Sequence, residues 1–269
     1  MSCVALVQMT STDDFAANLA LAERRVAEAA ALGVQLVAFP EVFLFIGGSK
    51  GKLANAQTLE GPAVSRFREL AAQHRLWILL GSIHEKIAGN ADKVHNTSVL
   101  IGAGGEIAAT YRKLKLFDVE LPHLTLKESD SIVPGDAPPP VVDTPLGRTA
   151  LTICFDLRFP DLYQHARRRG AEVIFVPSNF TAPTGAAHWE TLLKARAVEN
   201  QVYIAAPAQQ GRHNPKFASW GHTALVDPWG TVTALAPDRP GITVGEIDLD
   251  LLARVRRELP MGADAPAGA

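Results

Sequence analysis

The stretch Thr149-Ala150-Leu151-Thr152-Ile153-Cys154-Phe155-Asp156-Leu157-Arg158-Phe159-Pro160 decides the fold. Its first five residues are apolar or β-branched, as suits a strand covered on both faces. Cys154 ends that run, and Pro160 opens a helical pattern that reaches Arg169. A thiol therefore stands at the carboxyl end of a central strand, just before a turn and a helix start. Open α/β sheets place their chemistry there, and a helix N-terminus lowers the pKa of a nearby thiol. Taken alone, the same residue also fits a packed, inert cysteine.

Working outward, short apolar runs alternate with helical patterns. Strands are predicted at Val4 to Met9, Leu36 to Phe39, Trp77 to Leu80, Ser98 to Ile101, Ile107 to Tyr111, Val173 to Val176, Val202 to Ala206 and Ala224 to Val226. Helices are predicted at Asp14 to Leu32, Ala63 to His74, Pro160 to Arg169, His188 to Asn200 and Asp248 to Arg256. Gly102 to Gly105 and Asp227 to Gly230 read as hairpin turns. Parallel units mixed with hairpins imply an α/β fold with one mixed sheet, or two packed sheets, and helices outside. No linker divides residues 1–269, so they read as a single domain. Pro134 to Pro145 reads as a loop, and 262–269 as a disordered tail.

Composition narrows the function. The chain has 269 residues and is 47% hydrophobic, enough for a sizeable core. A net charge of −2 gives no electrostatic footprint for nucleic acid or an anionic membrane surface. Cys3 and Cys154 are the two cysteines, which points to a reducing, cytoplasmic setting rather than a disulfide scaffold. No signal peptide is visible, and no apolar run reaches the roughly 18 residues of a membrane span.

Three further strand ends carry polar groups. Glu41 follows Leu36-Val37-Ala38-Phe39-Pro40, Lys113 follows Ala109-Thr110-Tyr111-Arg112, and Pro177-Ser178-Asn179-Phe180 follows Val173 to Val176. A carboxylate can deprotonate a thiol, and an ammonium can stabilise an oxyanion. Each residue alone fits a solvated loop; side by side they make a nucleophile, a base and an electrostatic stabiliser. Other motifs fail. Gly47-Gly48-Ser49-Lys50-Gly51-Lys52 has Ile46 and Leu53 where a phosphate loop needs Gly and Ser or Thr. No His-Glu-x-x-His zinc motif occurs.

Phe39-Pro40-Glu41, Tyr111-Arg112-Lys113 and Cys154 through Pro160, in this order, make the chain resemble the nitrilase, or carbon–nitrogen hydrolase, superfamily along nearly its full length. The resemblance implies a four-layer αββα sandwich of two mixed sheets with helices outside. It also implies a triad of Cys154, Glu41 and Lys113, with Glu128 as a second glutamate and no metal or organic cofactor. Within the superfamily the chain is most similar to the branch of deaminated glutathione amidases and ω-amidases. That likeness rests on Thr184 through Glu190, Ala195 through Gln201, Gly211-Arg212-His213-Asn214, Gly221-His222 and Asp227 through Gly230. Asp118-Val119-Glu120-Leu121-Pro122 and Gly211-Arg212-His213 lean toward the deaminated glutathione side.

The implied function is an amidase that forms a cysteine thioester with a small carboxylate-bearing amide, deaminated glutathione first. 2-Oxoglutaramate, another small amide or a carbamoyl compound is the alternative. A catalytically silent interaction module on the same fold is an alternative of another class. Arg158, Phe180 and Thr184 are implied to hold the dicarboxylic part of the substrate, and the Phe155 N–H to join Lys113 at the oxyanion. Arg158 has a second reading, as an ion-pair partner of Asp156 or Asp161. Arg212 and His213, in a loop, are candidates for the pocket mouth, with a purely structural role as the other reading. The implied partners are a small-molecule amide and further copies of the chain, as a homodimer or higher homo-oligomer, with neither nucleic acid nor membrane. Lys115, Phe155, Phe217 and Trp220 depart from the residues usual in the branch.

Overall fold

A computed structural model describes residues 1–121 and 124–261. The expected tail at 262–269 and Pro122 lie outside the described residues. The chain begins with β1 (Ser2–Gln8), α1 (Phe15–Ala31), β2 (Leu36–Ala38), α2 (Ser49–Ala54), α3 (Pro62–His74), β3 (Trp77–Ile87), β4 (Asn90–Ile101) and β5 (Ile107–Arg112). There follow β6 (Asp118–Leu121), β7 (Leu124–Lys127), β8 (Val141–Thr144), β9 (Gly147–Leu151), α4 (Pro160–Arg168), β10 (Val173–Phe175), α5 (Ala182–Asn200) and β11 (Tyr203–Ala206). It continues with β12 (Gln210–Asn214), β13 (Phe217–Trp220), β14 (Ala224–Val226), β15 (Val232–Leu235), β16 (Gly241–Ile247) and α6 (Leu249–Glu258).

Two six-stranded sheets form, in the orders β16-β1-β2-β3-β4-β5 and β15-β14-β11-β10-β9-β8. Each has three parallel strands at its centre, β1-β2-β3 and β9-β10-β11, flanked by antiparallel pairings. Side-chain alternation explains the layers. On β1, Val4 and Leu6 join a core shared with Ala150 and Phe175 of the second sheet, while Ala5 and Val7 pack with Val26 of α1 and Phe67 of α3. The second sheet is covered by Tyr163 of α4 and by Trp189 and Leu193 of α5. This is the expected four-layer αββα sandwich with two mixed sheets and helices outside.

The differences from the sequence expectation have local causes. β3 and β4 are longer than predicted, because their polar halves, such as Glu85 and Thr97, are paired and buried rather than apolar. Val141–Thr144, expected within a loop, is edge strand β8 paired with β9. Helix α5 starts at Ala182 rather than His188, since Pro183 suits a first helical turn and Thr181 caps it by accepting from the Thr184 N–H.

Candidate active site

The carboxyl ends of β2 and β9 face one another across the sandwich, and the turns after them carry Glu41 and Cys154. Both turns are backbone-strained. Cys154 has φ +46° and Val42, directly after Glu41, has φ +47°, a region costly for residues with a Cβ. Hydrogen bonds hold each in place. Val42 N–H donates to Ser82 Oγ at 2.9 Å, and Cys154 N–H donates to Pro177 O at 3.0 Å. Cys154 opens a short 3-10 helix, Cys154–Arg158, and Asp156 locks that turn. Its carboxylate accepts from Ile153 N–H (2.9 Å), Lys115 N–H (3.0 Å) and Tyr111 Oη (2.9 Å), tying the second sheet to the end of β5.

Lys113, directly after β5, is 2% exposed, and Glu41 is 4% exposed. The Lys113 ammonium donates to Glu41 Oε1 at 2.8 Å and to Glu128 Oε2 at 2.9 Å. Glu128 follows the β6–β7 hairpin and accepts from Phe117 N–H at 2.7 Å. Asn96, on β4, donates to Oε1 of both glutamates, at 3.0 and 3.2 Å. The ammonium is thus clamped between two carboxylates that share an amide donor. Burial disfavours the charge on Lys113, but Glu128 and Glu41 outweigh it and raise the pKa well above its ordinary value. Burial also opposes the charge on Glu128, and there Lys113, the Phe117 N–H and Asn96 win and lower the pKa.

Cys154 differs from the sequence expectation. Burial and the adjacent Glu41 push its thiol well above the ordinary range, against the pull of Lys113 and the Asn179 N–H. A 3-10 turn of five residues, in a buried site facing a carboxylate, does not offset those two effects. The resting group is a protonated thiol beside the Glu41 carboxylate.

A cavity of about 390 Å³ opens on these groups, with Glu41, Lys113, Glu128 and Cys154 in its wall. A second, much smaller cleft of about 10 Å³ adjoins it, sharing Phe117, Cys154, Asn179 and Thr181. Phe155, Arg158, Phe180 and Thr184 line this cleft. The Arg158 guanidinium lies 5.2 Å from the Phe180 ring centre and 5.7 Å from that of Phe155, and its Nη1 is 3.3 Å from His188 Nδ1. Its Nε is buried without a hydrogen-bond partner. Neither Asp156 nor Asp161 pairs with it among the described residues, since Asp156 is committed to the turn.

Arg212 and His213 are not at the pocket mouth. They lie on β12, where buried His213 bridges Ser11 O and Ser219 Oγ, and the adjoining hairpin presents Asn214, Lys216 and Phe217 to the cavity instead. Phe217, one of the departures from the branch, is therefore a wall residue. Lys115 lies 4.7 Å over the Phe159 ring. The sequence reading missed Asn96, Lys52 and His84, all of which line the cavity. Asn96 lay in the unrecognised polar half of β4, and Lys52 in a motif set aside as a failed phosphate loop. Among the described residues no group of three or more His, Cys, Asp or Glu has a metal-holding arrangement. No helix there is long and apolar enough to cross a membrane.

Comparison with known proteins places this geometry. The carbon-nitrogen hydrolase family model matches residues 3–257. The chain is 42% identical over 260 residues to the nitrilase and fragile histidine triad fusion protein NitFhit of Caenorhabditis elegans, covering 96% of this chain and 59% of that protein. The crystal structure of that protein superposes with a TM-score of 0.91, covering 96% of this chain and 63% of the other. Identity to the deaminated glutathione amidase of Homo sapiens is 42% over 262 residues, 96% of this chain and 80% of the other. A glutamate-to-glutamine variant of the amidase from Nesterenkonia sp. AN1, with acrylamide added at its active-site cysteine, superposes with a TM-score of 0.80 at 28% identity, covering 96% of this chain and 98% of the other. By the extent of the family match and of these similarities, the chain belongs to the carbon–nitrogen hydrolase family.

Proposed function

We propose that the protein hydrolyses a small carboxylate-bearing amide through a thioester on Cys154, and that its preferred substrate is deaminated glutathione, split into 2-oxoglutarate and cysteinylglycine. The observation that carries this reading is the buried Glu41–Lys113–Glu128 clamp beside the protonated thiol. In the first step Glu41 takes the Cys154 proton as sulfur bonds to the amide carbon. The carbonyl electrons move to oxygen, where Lys113 and the Phe155 N–H donate. The C–N bond then breaks as Glu41 passes its proton to nitrogen, and the amine leaves. Water, losing a proton to Glu41, attacks the thioester, and the departing sulfur regains that proton. Amide and water give acid and amine. Glu128 keeps Lys113 charged and aimed.

Two observations support the substrate class. Arg158 holds a buried, unpartnered Nε beside two aromatic rings, a site a carboxylate would satisfy. The cleft there has room for about one water, so a dicarboxylic acyl chain would fit only if the lining side chains moved apart. The second is the likeness to proteins named deaminated glutathione amidase. A substrate panel tests the proposal. Deaminated glutathione should be cleaved with the highest kcat/KM, and Arg158→Ala should lower it about 10- to 100-fold for acidic substrates and leave neutral amides much less affected. Preference for 2-oxoglutaramate would make the protein an ω-amidase. Equal losses for acidic and neutral amides would make Arg158 structural.

We also infer that residues 1–269 form one catalytic domain, supported by the match over residues 3–257. Self-association is part of the proposal, supported by exposed Val198, Trp229 and Leu235 at 42, 63 and 53%. A reducing, cytoplasmic setting suits a nucleophile that must stay a free thiol.

A further inference from the structure

The two cavities meeting at Cys154 divide a bound amide. With the carbonyl at sulfur and the acyl part against Arg158, the amine part occupies the larger cavity. At about 390 Å³ that cavity lies within the range of small-molecule pockets, roughly 300–1,000 Å³. Its charged lining is unequal. Lys52, Lys113 and Lys216 face Glu41 and Glu128, both of which are already bound by Lys113. His84 adds no charge at neutral pH, because burial holds it at about 3. One ammonium more than the carboxylates can match therefore faces the cavity.

Lys52 is the better placed of the two remaining lysines. It projects from α2 and is half-buried, and its Nζ donates to a neutral oxygen, Ser131 Oγ, at 2.7 Å. No carboxylate of the described residues forms an ion pair with it. Lys216 is exposed at the β12–β13 turn, at the rim. We propose that Lys52 is a specificity-determining residue that binds a carboxylate at the far end of the leaving amine, so that the enzyme prefers peptide-like amines ending in a free acid. Burial, and after it Lys113, lower the Lys52 pKa against the pull of Glu128 and Glu41, so an arriving carboxylate would relieve a charge that is only partly compensated. This inference rests on the amidase reading above but concerns the other side of the scissile bond from Arg158.

The test compares two substrates with the same 2-oxoglutaryl group, one on a dipeptide with a free C-terminal carboxylate and one on the same dipeptide amidated at its C-terminus. In Lys52→Met the ratio of kcat/KM, acid over amide, should fall about 10- to 100-fold, and Lys52→Arg should recover most of it. An unchanged ratio overturns the proposal, whether both rates fall together, as support of the triad would require, or neither changes. Thermal unfolding checks that the variants fold. If the wild-type protein cleaves neither substrate, the deaminated glutathione reading fails. The inference is then decided by protection of Cys154 from iodoacetamide. The free-acid dipeptide should protect the wild-type protein and not Lys52→Met, and equal protection of both would overturn it.

Discussion

At Cys154 two pairs of effects oppose each other. Burial and Glu41 favour the neutral thiol, and Lys113 and the Asn179 N–H favour the thiolate. Removing the Glu41 charge tips that balance, so Glu41→Gln should shift the pH profile of Cys154 alkylation to lower pH while amide turnover falls by about 10²-fold or more. An unmoved alkylation profile would mean that Glu41 does not face the thiol. At this scale the sequence was informative, because Glu41, Lys113 and Cys154 each follow an apolar run that marks a strand end. The state of the thiol was not legible. It depends on a carboxylate 113 positions away in the chain and on burial, and neither is a local property. Lys52 was hidden for the same reason, since its meaning comes from Glu128 and Ser131 across the cavity.

The elements deliver these groups through close backbone contacts. In β3 the pairing register with β4 shifts between Leu80 and Ile83, which brings Gly81 under the Glu41 turn. A Cβ on Gly81 would lie 1.7 Å from Phe39 O and 2.7 Å from Pro177 Cβ, so only glycine lets β3 pass beneath the ends of β2 and β10. Gly81→Ala should cost about 2–3 kcal/mol in urea denaturation and lower activity beyond the loss of folded protein. A stability within about 0.5 kcal/mol of the wild-type protein would refute this account of the turn. The longer helices were legible from three-to-four spacing and caps; the six-residue α2, Ser49–Ala54, was not, since its Gly48 N-cap makes no side-chain cap and none of its residues is buried. The two short hairpins, β6–β7 and β12–β13, were not legible either. Their strands are only four or five residues long, so an alternation as brief as Asp118-Val119-Glu120-Leu121 did not stand out, yet they carry the approach to Glu128 and the cavity wall at Phe217.

For the whole molecule, two sheets with buried faces on both sides explain why its central strands read as unbroken apolar runs, a pattern legible before the pairing order was known. Burying titratable groups among those layers makes stability depend on pH. His84 is held at about 3 against an ordinary 6.5, so between those values the unfolded chain binds a proton that the folded chain does not. Its contribution is complete above about pH 6.5 and is lost as pH falls toward 3. Burial pushes Asp156 up to about 6, with the opposite sign: the folded state holds the proton more tightly, and stability rises as pH falls from 6 toward 4. The His84 effect is therefore read as a difference. Between pH 7 and pH 5, His84→Leu should lose about 2 kcal/mol less than the wild-type protein, and equal losses would show that His84 titrates normally in the fold. The fold, the cavity and the clamp serve one claim, that Cys154 carries the acyl group. Intact-mass analysis of enzyme quenched with acid during turnover tests it most directly. The wild-type protein should show an adduct of the acyl mass mapped to Cys154, with Cys154→Ala folded, unmodified and slower by at least about 10³-fold. Turnover by Cys154→Ala near the wild-type rate would contradict the account.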